Sequence, residues 1–463
     1  MDTQVFEDLK ARSRKLSIYE GSAWSVMDGF GLRFIVPYAL ALGANNRVVG
    51  LLNALPSLFG NLTMLGTLQL MRKWTRKRIC MTGVLVQALL WLFIIGTGAL
   101  YFILDMRGQA PAYGVLIVYT VLIMGGCLPV PAWGSWMKDL VSRDIGNFFG
   151  RRNRICGSVG LICMLIASFF LDFMKGYHIY LGFVVLFTIS FFARMTSYFI
   201  LRRQYEPHFE VDETAYFSLL QFLRKMRHNN FGKFVITTGL FSIMVQIAAP
   251  FTTVYLLKTL RFSYVQFTII VLAASITSLI ILPFWGRFAD RYGNLKAIKM
   301  TSIGVGFIPF LWLASYFFMD RGTTFMFIFL IVVQLLSGFI WPGYDMSVGN
   351  FIFDAVTRQR MSICSCYFSI LNGMGVLIGS MLGGFISSSH FMDRYLFWGM
   401  SSLIFLFLIS GFGRLAVALL FYLKIKEVRP VEEFGFKEAS AHLNRLSPMR
   451  FLEFFNLNFL RRP

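Results

Sequence analysis

Charge is the scarcest ingredient of this 463-residue chain: Asp, Glu, Lys and Arg together make up 14% of it. Soluble domains carry roughly 25%, so a soluble enzyme is excluded. Acid is scarcer than base, with 23 Asp+Glu against 44 Lys+Arg and a net charge of +21. No RNP, zinc-finger or basic-region pattern accompanies that charge, which argues against nucleic acid as a partner. There is no G-x-x-x-x-G-K-S/T phosphate loop and no polar segment large enough for an ATPase, so any pumping must draw on an ion or solute gradient. The five histidines, His178, His208, His228, His390 and His442, fall in loops, tails or helix ends. None makes a metal-type or nucleophile–base constellation, and an intramembrane hydrolase or acyltransferase finds no support. The six cysteines lie in or at the ends of apolar segments and read as small buried hydrophobes. No cofactor or metal is expected. The N-terminal stretch is polar and amphipathic, without the apolar core of a cleavable signal.

What the chain has instead is apolar length. Hydrophobic residues make up 56%, and Phe alone occurs 51 times. The run 79–104 is long enough to cross a bilayer as a helix. Twelve such spans are predicted, at 22–42, 48–71, 79–104, 112–137, 155–173, 178–201, 231–257, 264–287, 297–319, 324–352, 362–388 and 395–424. They are numbered spans 1 to 12 below. The one long interior connection, 202–230, divides the chain into two six-helix halves, 1–201 and 231–424, followed by a tail over 425–463.

Loop charge predicts the orientation. With the N-terminus inside, the inside segments hold 33 Lys+Arg and the outside loops 7; without both tails the contrast is 21 against 7. Both termini are therefore expected on the cytoplasmic side of the cell membrane. Residues 213–228 place Tyr216, Leu219, Leu220, Leu223 and Met226 on one helical face flanked by Arg224, Lys225 and Arg227. That pattern reads as a helix lying on the cytoplasmic leaflet, and the tail over 447–463 reads the same way.

The halves repeat. Asp139 to Arg143 (DLVSR) recurs as Asp354 to Arg358 (DAVTR), and Ser190 to Met195 (SFFARM) as Ser410 to Leu415 (SGFGRL). Pro37 matches Pro250, and Gly66 matches Gly286. Two parallel six-helix repeats are a transporter architecture. Residues Gly286 to Lys296 (GRFADRYGNLK) resemble the G-x-x-x-D-R-x-G-x-x-R/K cytoplasmic loop motif of the major facilitator superfamily. The loop between spans 2 and 3 keeps the glycine and a basic cluster, Arg72, Lys73, Arg76, Lys77 and Arg78, but has no aspartate. The resemblance covers nearly the whole chain and implies the all-α major facilitator fold. It also implies that spans 1, 4, 7 and 10 line a central cavity. The motif residues Gly286, Asp290, Arg291 and Gly293 would form a gate on the cytoplasmic side, Asp290 meeting helix-start N–H groups or a base among Arg151, Arg152 and Arg154. Asp139–Arg143 and Asp354–Arg358 read as i,i+4 helix-end pairs.

Charges inside the spans carry the functional expectation, because each costs about 2.5–3.5 kcal/mol at mid-bilayer. Arg194 and Arg414 are repeat mates and read as architecture; Lys233 reaches water at the interface. Asp28, Arg33 and Asp345 have no charged mates. Asp28 and Arg33 are five residues apart, about 140° around a regular helix, though Gly29 and Gly31 between them can loosen it. Asp28 is expected to carry a proton or, alternatively, to pair with an arginine for assembly. Arg33 is expected to anchor an anionic or strongly hydrogen-bonding solute. Gln246, Trp341, Asp345 and Trp133 complete the expected cavity lining. The reading is a secondary active transporter of a small solute, proton-coupled and monomeric, working within the lipid bilayer. A multidrug exporter of the same fold and a non-transporting receptor or scaffold are the alternatives.

Overall fold

A computed structural model describes residues 3–106, 108–141, 145–207, 219–356, 361–388 and 402–432. The chain is all helical. Among the described residues, eleven helical segments are long and apolar enough to cross a membrane. The remaining predicted span, span 1, is built of α1 (Thr3–Phe30) and α2 (Ile35–Ala41), separated by a 3-10 turn over Leu32–Phe34. Spans 2 and 3 are α3 (Asn46–Leu70) and α4 (Arg76–Phe102). Span 4 is α5 (Ala110–Cys127) with α6 (Val130–Leu140), interrupted beside Pro129, and spans 5 and 6 are α7 (Ile145–Lys175) and α8 (Ile179–Arg202). The linker contributes α9 (Leu219–Lys225), shorter than the predicted amphipathic helix; 213–218 and the predicted tail helix over 447–463 lie outside the described residues.

Span 7 is α10 (Asn230–Gln246), then α11 (Phe251–Val254) and a π turn over Tyr255–Thr259. Spans 8 to 12 are α12 (Tyr264–Tyr292), α13 (Asn294–Ala314), α14 (Thr323–Ala355), α15 (Met361–Ser387) and α16 (Ser402–Leu420). Helix starts follow local chemistry. Asn45, Thr75, Asn229 and Ser263 each accept a backbone N–H of the first turn with their side chains, and Ser263 with Gln266 closes a capping box. Helices that carry a span unbroken run from 19 residues in α16 and 21 in α13 to 33 in α14, against the roughly 20 a bilayer requires.

Spans 1 and 7 are repeat mates, and both are broken. In span 7 Pro250 lacks the N–H that would return to Gln246, and α10 stops there. Within the first six spans α1 packs on α7 and α8, and α4 on α5 and α8; within the last six α10 packs on α15, α12 on α14, and α13 on α14 and α16. Across the two sets α3 packs along α15, and α7 meets α12. At the face remote from both termini these crossings are polar. Asn46 Nδ2 donates to the Ser387 carbonyl at 3.2 Å, Arg47 Nε to Ser388 Oγ at 2.9 Å, and Lys258 Nζ to the Ala44 carbonyl at 2.7 Å. Asp172 at the end of α7 accepts from both Tyr264 N (2.8 Å) and Val265 N (2.7 Å), so a carboxylate from the first set caps α12 of the second.

Candidate functional site

Asp28 and Arg33 meet. The α-helix ends at Phe30, and the tighter 3-10 turn that follows brings Arg33 Nε to 3.0 Å from Asp28 Oδ2. The 140° that a regular helix would put between them is removed by that break. Gly31 sits at it because a Cβ there would stand 2.4 Å from the Trp91 ring. Arg33 keeps 47% of its side chain exposed and Asp28 16%, so the pair is partly hydrated and worth little, about 0–1 kcal/mol. It can open without a large penalty. Tyr119 of α5 lies within electrostatic reach of both groups.

The other expected cavity residues are spread along the interior. Gln246, the last residue of α10, accepts from Asn53 Nδ2 of α3 at 2.8 Å, and the same amide donates to Ser380 Oγ of α15 at 3.0 Å. Asn61 Nδ2 reaches the Ser369 carbonyl at 3.0 Å one stage nearer the termini. These neutral amides form a strip joining the two sets of spans. Trp341 and Asp345 lie one turn apart on α14; Trp341 meets the Tyr344 ring edge-on at 5.8 Å. Asp345 is exposed and makes no hydrogen bond or ion pair with a described residue. Trp133 sits apart from these, under the Arg152 guanidinium at 4.7 Å and against Phe149, in the cluster toward the terminal face.

Three further polar groups of the interior carry little signal in the sequence. Glu20 precedes the predicted span 1, but α1 continues through it, and it is 7% exposed. Its carboxylate lies 3.4 Å from Arg194 Nη1 and 3.5 Å from Arg152 Nη2, and Arg194 Nε also donates to Gln87 Oε1 at 2.8 Å. Asp172 was hidden at the end of an apolar run. Asn53 is uncharged, and a search for intramembrane charge passes over it.

The loop motif takes the form of a turn. Gly293 has φ +94°, a left-handed conformation that favours glycine, and a Cβ there would fall 2.4 Å from Glu427 Oε2. Glu427 Oε2 in turn accepts from Leu295 N at 2.8 Å. Arg291 Nε pairs with Glu432 at 2.6 Å. Gly286 packs loosely against Met346, and Asp290 is exposed with no partner among the described residues. Of the expected i,i+4 pairs, Arg143 and Arg358 lie outside the described residues; among the described residues both aspartates hold partners from other helices. Asp139 accepts from the buried Arg76 at 2.6 Å, which also faces Glu206 at 3.6 Å. Asp354 accepts from Asn294 Nδ2 at 2.6 Å and faces Arg429 at 3.1 Å. Arg76, Asp139 and Glu206 correspond to Asn294, Asp354 and Glu427 at offsets of 218, 215 and 221, so the repeat extends to a matched polar knot at the terminal face of each half.

The family profile described as Major Facilitator Superfamily matches residues 21–362 and again 234–460. Multidrug resistance protein 1 of Bacillus subtilis (strain 168) is 26% identical over 166 residues, which is 36% of this chain and 40% of that relative's length. Among solved structures, the nucleoside transporter NupG superposes with a TM-score of 0.62 at 18% identity over 90% of this chain and 100% of that one. The POT family transporter PepTSo gives 0.67 at 11% over 89% and 97%. A bacterial homologue of the iron transporter ferroportin in an inward-facing state gives 0.63 at 14% over 91% and 100%. At these identities the likeness is one of fold.

Proposed function

This chain belongs to the major facilitator superfamily, a family of membrane transporters and not of enzymes, and from that premise we propose that it is a proton-coupled secondary active transporter working by alternating access. The moving units are the six-helix bundles over 1–201 and 231–424, joined by the linker over 202–230. Both termini lie in the cytoplasm, a reading supported by the excess of Lys and Arg on the terminal face. In that orientation the contacts of Asn46, Arg47, Asp172 and Lys258 close the outer face, and Asp290 stands free on the inner one. The structure then represents a conformation loaded or emptied from inside.

The observation that carries the proposal is the Asp28–Arg33 pair at the break of span 1. Broken helices facing a central cavity are where transporters of this kind bind solute and ion. A proton taken up by Asp28 removes the charge that Arg33 Nε meets at 3.0 Å. The pair then opens, and the broken segment is released to repack as the bundles rock. Asp290 and the turn at Gly293 act as the inner gate in the opposite conformation.

The experiment uses proteoliposomes and solute counterflow against pH-driven uptake, with a substrate found by screening metabolite pools. Asp28→Asn should keep exchange within about threefold of wild type, since an uncharged amide mimics the protonated carboxyl, and should lose accumulation driven by a pH gradient. Loss of exchange and of folding together sinks the coupling role and leaves Asp28 an assembly residue. Export of drug-like compounds is a second reading, favoured by the similarity to the Bacillus subtilis multidrug resistance protein; efflux of a fluorescent dye from cells expressing the chain tests it.

A further inference from the structure

We infer that the solute carries a cationic centre and that Asp345 receives it, an inference that rests on the transporter reading above. The argument begins with what each intramembrane carboxylate already holds. Asp28 holds Arg33. Glu20 lies between Arg152 and Arg194. Asp172 holds two backbone N–H groups of α12. Apart from Asp290 and Asp320 at the ends of their spans, Asp345 is the one carboxylate within the described spans that has no partner among the described residues.

Its position excludes the simplest explanation, that it faces lipid or the membrane surface. Ala355 ends α14 at the terminal face, ten residues beyond Asp345, so the carboxylate lies about 15 Å in from that end. The lipid-facing stripe of α14 is marked by exposed Ile328, Val332, Leu335, Leu336 and Phe339. Asp345 is six residues past Phe339, which at about 100° per residue places it about 120° from that stripe. At the level of Asp345, Gly343 abuts Trp285 of α12 and Tyr344 bonds Tyr422, which takes up two other sides of the helix. With those sides taken and the lipid-facing stripe turned away, the exposed carboxylate is read as facing the interior between the two sets of spans.

The surroundings suit a cation. Trp341 precedes Asp345 by one turn and is half-buried, its indole shielded on one side by Tyr344. A carboxylate beside an indole offers charge and a π face to the same ligand. Arg33, which the sequence suggested as an anchor for anions, is already matched by Asp28. Arg414 spends its guanidinium on the Val305 and Val245 carbonyls. An unmatched negative charge this deep costs about 2.5–3.5 kcal/mol unless something answers it, and an arriving cation does so.

The test is binding to the full chain purified in detergent, read as a saturable rise in melting temperature. Two matched series serve as probes: tetraphenylphosphonium, triphenylphosphine oxide and tetraphenylborate; and phenethylamine, phenethyl alcohol and phenylpropionate. In at least one series the cation should bind about tenfold or more tightly than its neutral member, and Asp345→Asn should abolish that preference. Arg33→Gln should leave the preference in place. If Asp345→Asn fails to fold, Asp345→Glu, which keeps the charge, must keep it. Cation preference absent from both series overturns the inference. So does preference for an anion, or cation preference that survives Asp345→Asn. Cation binding through Asp345 without flux in vesicles would instead overturn the transporter reading and leave the site standing.

Discussion

Arg194 and Arg414 occupy equivalent places in the two repeats, both in the sixth span of their half and both buried, yet they are held by different chemistry. Arg194 faces the Glu20 carboxylate and the Gln87 amide. Arg414 has only carbonyl oxygens, those of Val305 and Val245 at 3.2 Å each, and its Nε has no partner among the described residues. The repeat offset that relates Pro37 to Pro250 puts Lys233 where Glu20 stands, so the second half has no acid to offer. The carbonyls that Arg414 and Ser410 reach, Val245 and Met244, lie just before the break of span 7. One repeat uses its arginine to neutralise a charge; the other uses it to hold a broken helix end. Sequence repetition conserved the residue type while its task diverged.

The largest effect tests the charged side of that comparison. Glu20→Gln leaves Arg152 and Arg194 without a carboxylate in a buried site, and stranding a buried charge costs about 3–5 kcal/mol. The variant should lose most of its folded yield. Arg194→Met should cost less, because Glu20 keeps Arg152. Arg414→Met should be milder still, within about 1–2 kcal/mol, since no carboxylate is stranded and only two carbonyl hydrogen bonds are lost. Melting temperatures in detergent rank the three. An Arg414→Met variant as damaged as Glu20→Gln would show that the two arginines do the same work after all.

A second, smaller effect separates the two crossings between the halves. Asp172 is a charged cap on α12, whereas Asn53 and Gln246 join α3 to α10 without charge. Hydrogen bonds to a charged group contribute about 1.5–3 kcal/mol, and Asn at position 172 keeps one acceptor oxygen. Asp172→Asn should therefore move the conformational equilibrium about tenfold away from closure at that face. Spin labels across the ends of α7 and α12, read as a distance distribution, report it. An unchanged distribution reduces the cap to a local helix-end contact. The smallest effect belongs to Asp290. It is exposed and has no partner among the described residues, so Asp290→Asn should leave the stability within about 0.5 kcal/mol of wild type and slow only turnover, where the opposite conformation is visited. A clear loss of stability in this state would mean that Asp290 has a partner here.

The fold was readable because its signals are long. A span of twenty apolar residues is visible without context, and eleven of the predicted spans reappear as helices of that kind, with span 1 as two pieces. The repeat was readable for the same reason, down to Asp139 and Asp354. Pairings were not. For Asp139 and Asp354 sequence spacing offers only the local candidates Arg143 and Arg358, whereas Arg76 and Asn294, which meet them in the structure, arrive from the next helix in space. Glu20 was missed because apolar content fades before α1 does, and a helix can run beyond the bilayer on either side. The Asp28–Arg33 contact depended on a backbone break that Gly29 and Gly31 permit but do not dictate.

The amide strip along α3 and α15 has a consequence for what the protein can sense. Asn53, Gln246, Ser380 and Asn61 carry no charge at any physiological pH, and dipoles this close are barely screened by salt. That seam works as a bearing whose friction is indifferent to the medium. Charge enters that seam only at its outer end, where Arg47 meets Ser388; the opposite seam carries the Asp172 carboxylate at the start of α12. Ionic strength therefore has a handle at the outer ends of both seams and none along the amide strip, so a salt-dependent bias on the transport cycle should enter at the outer face.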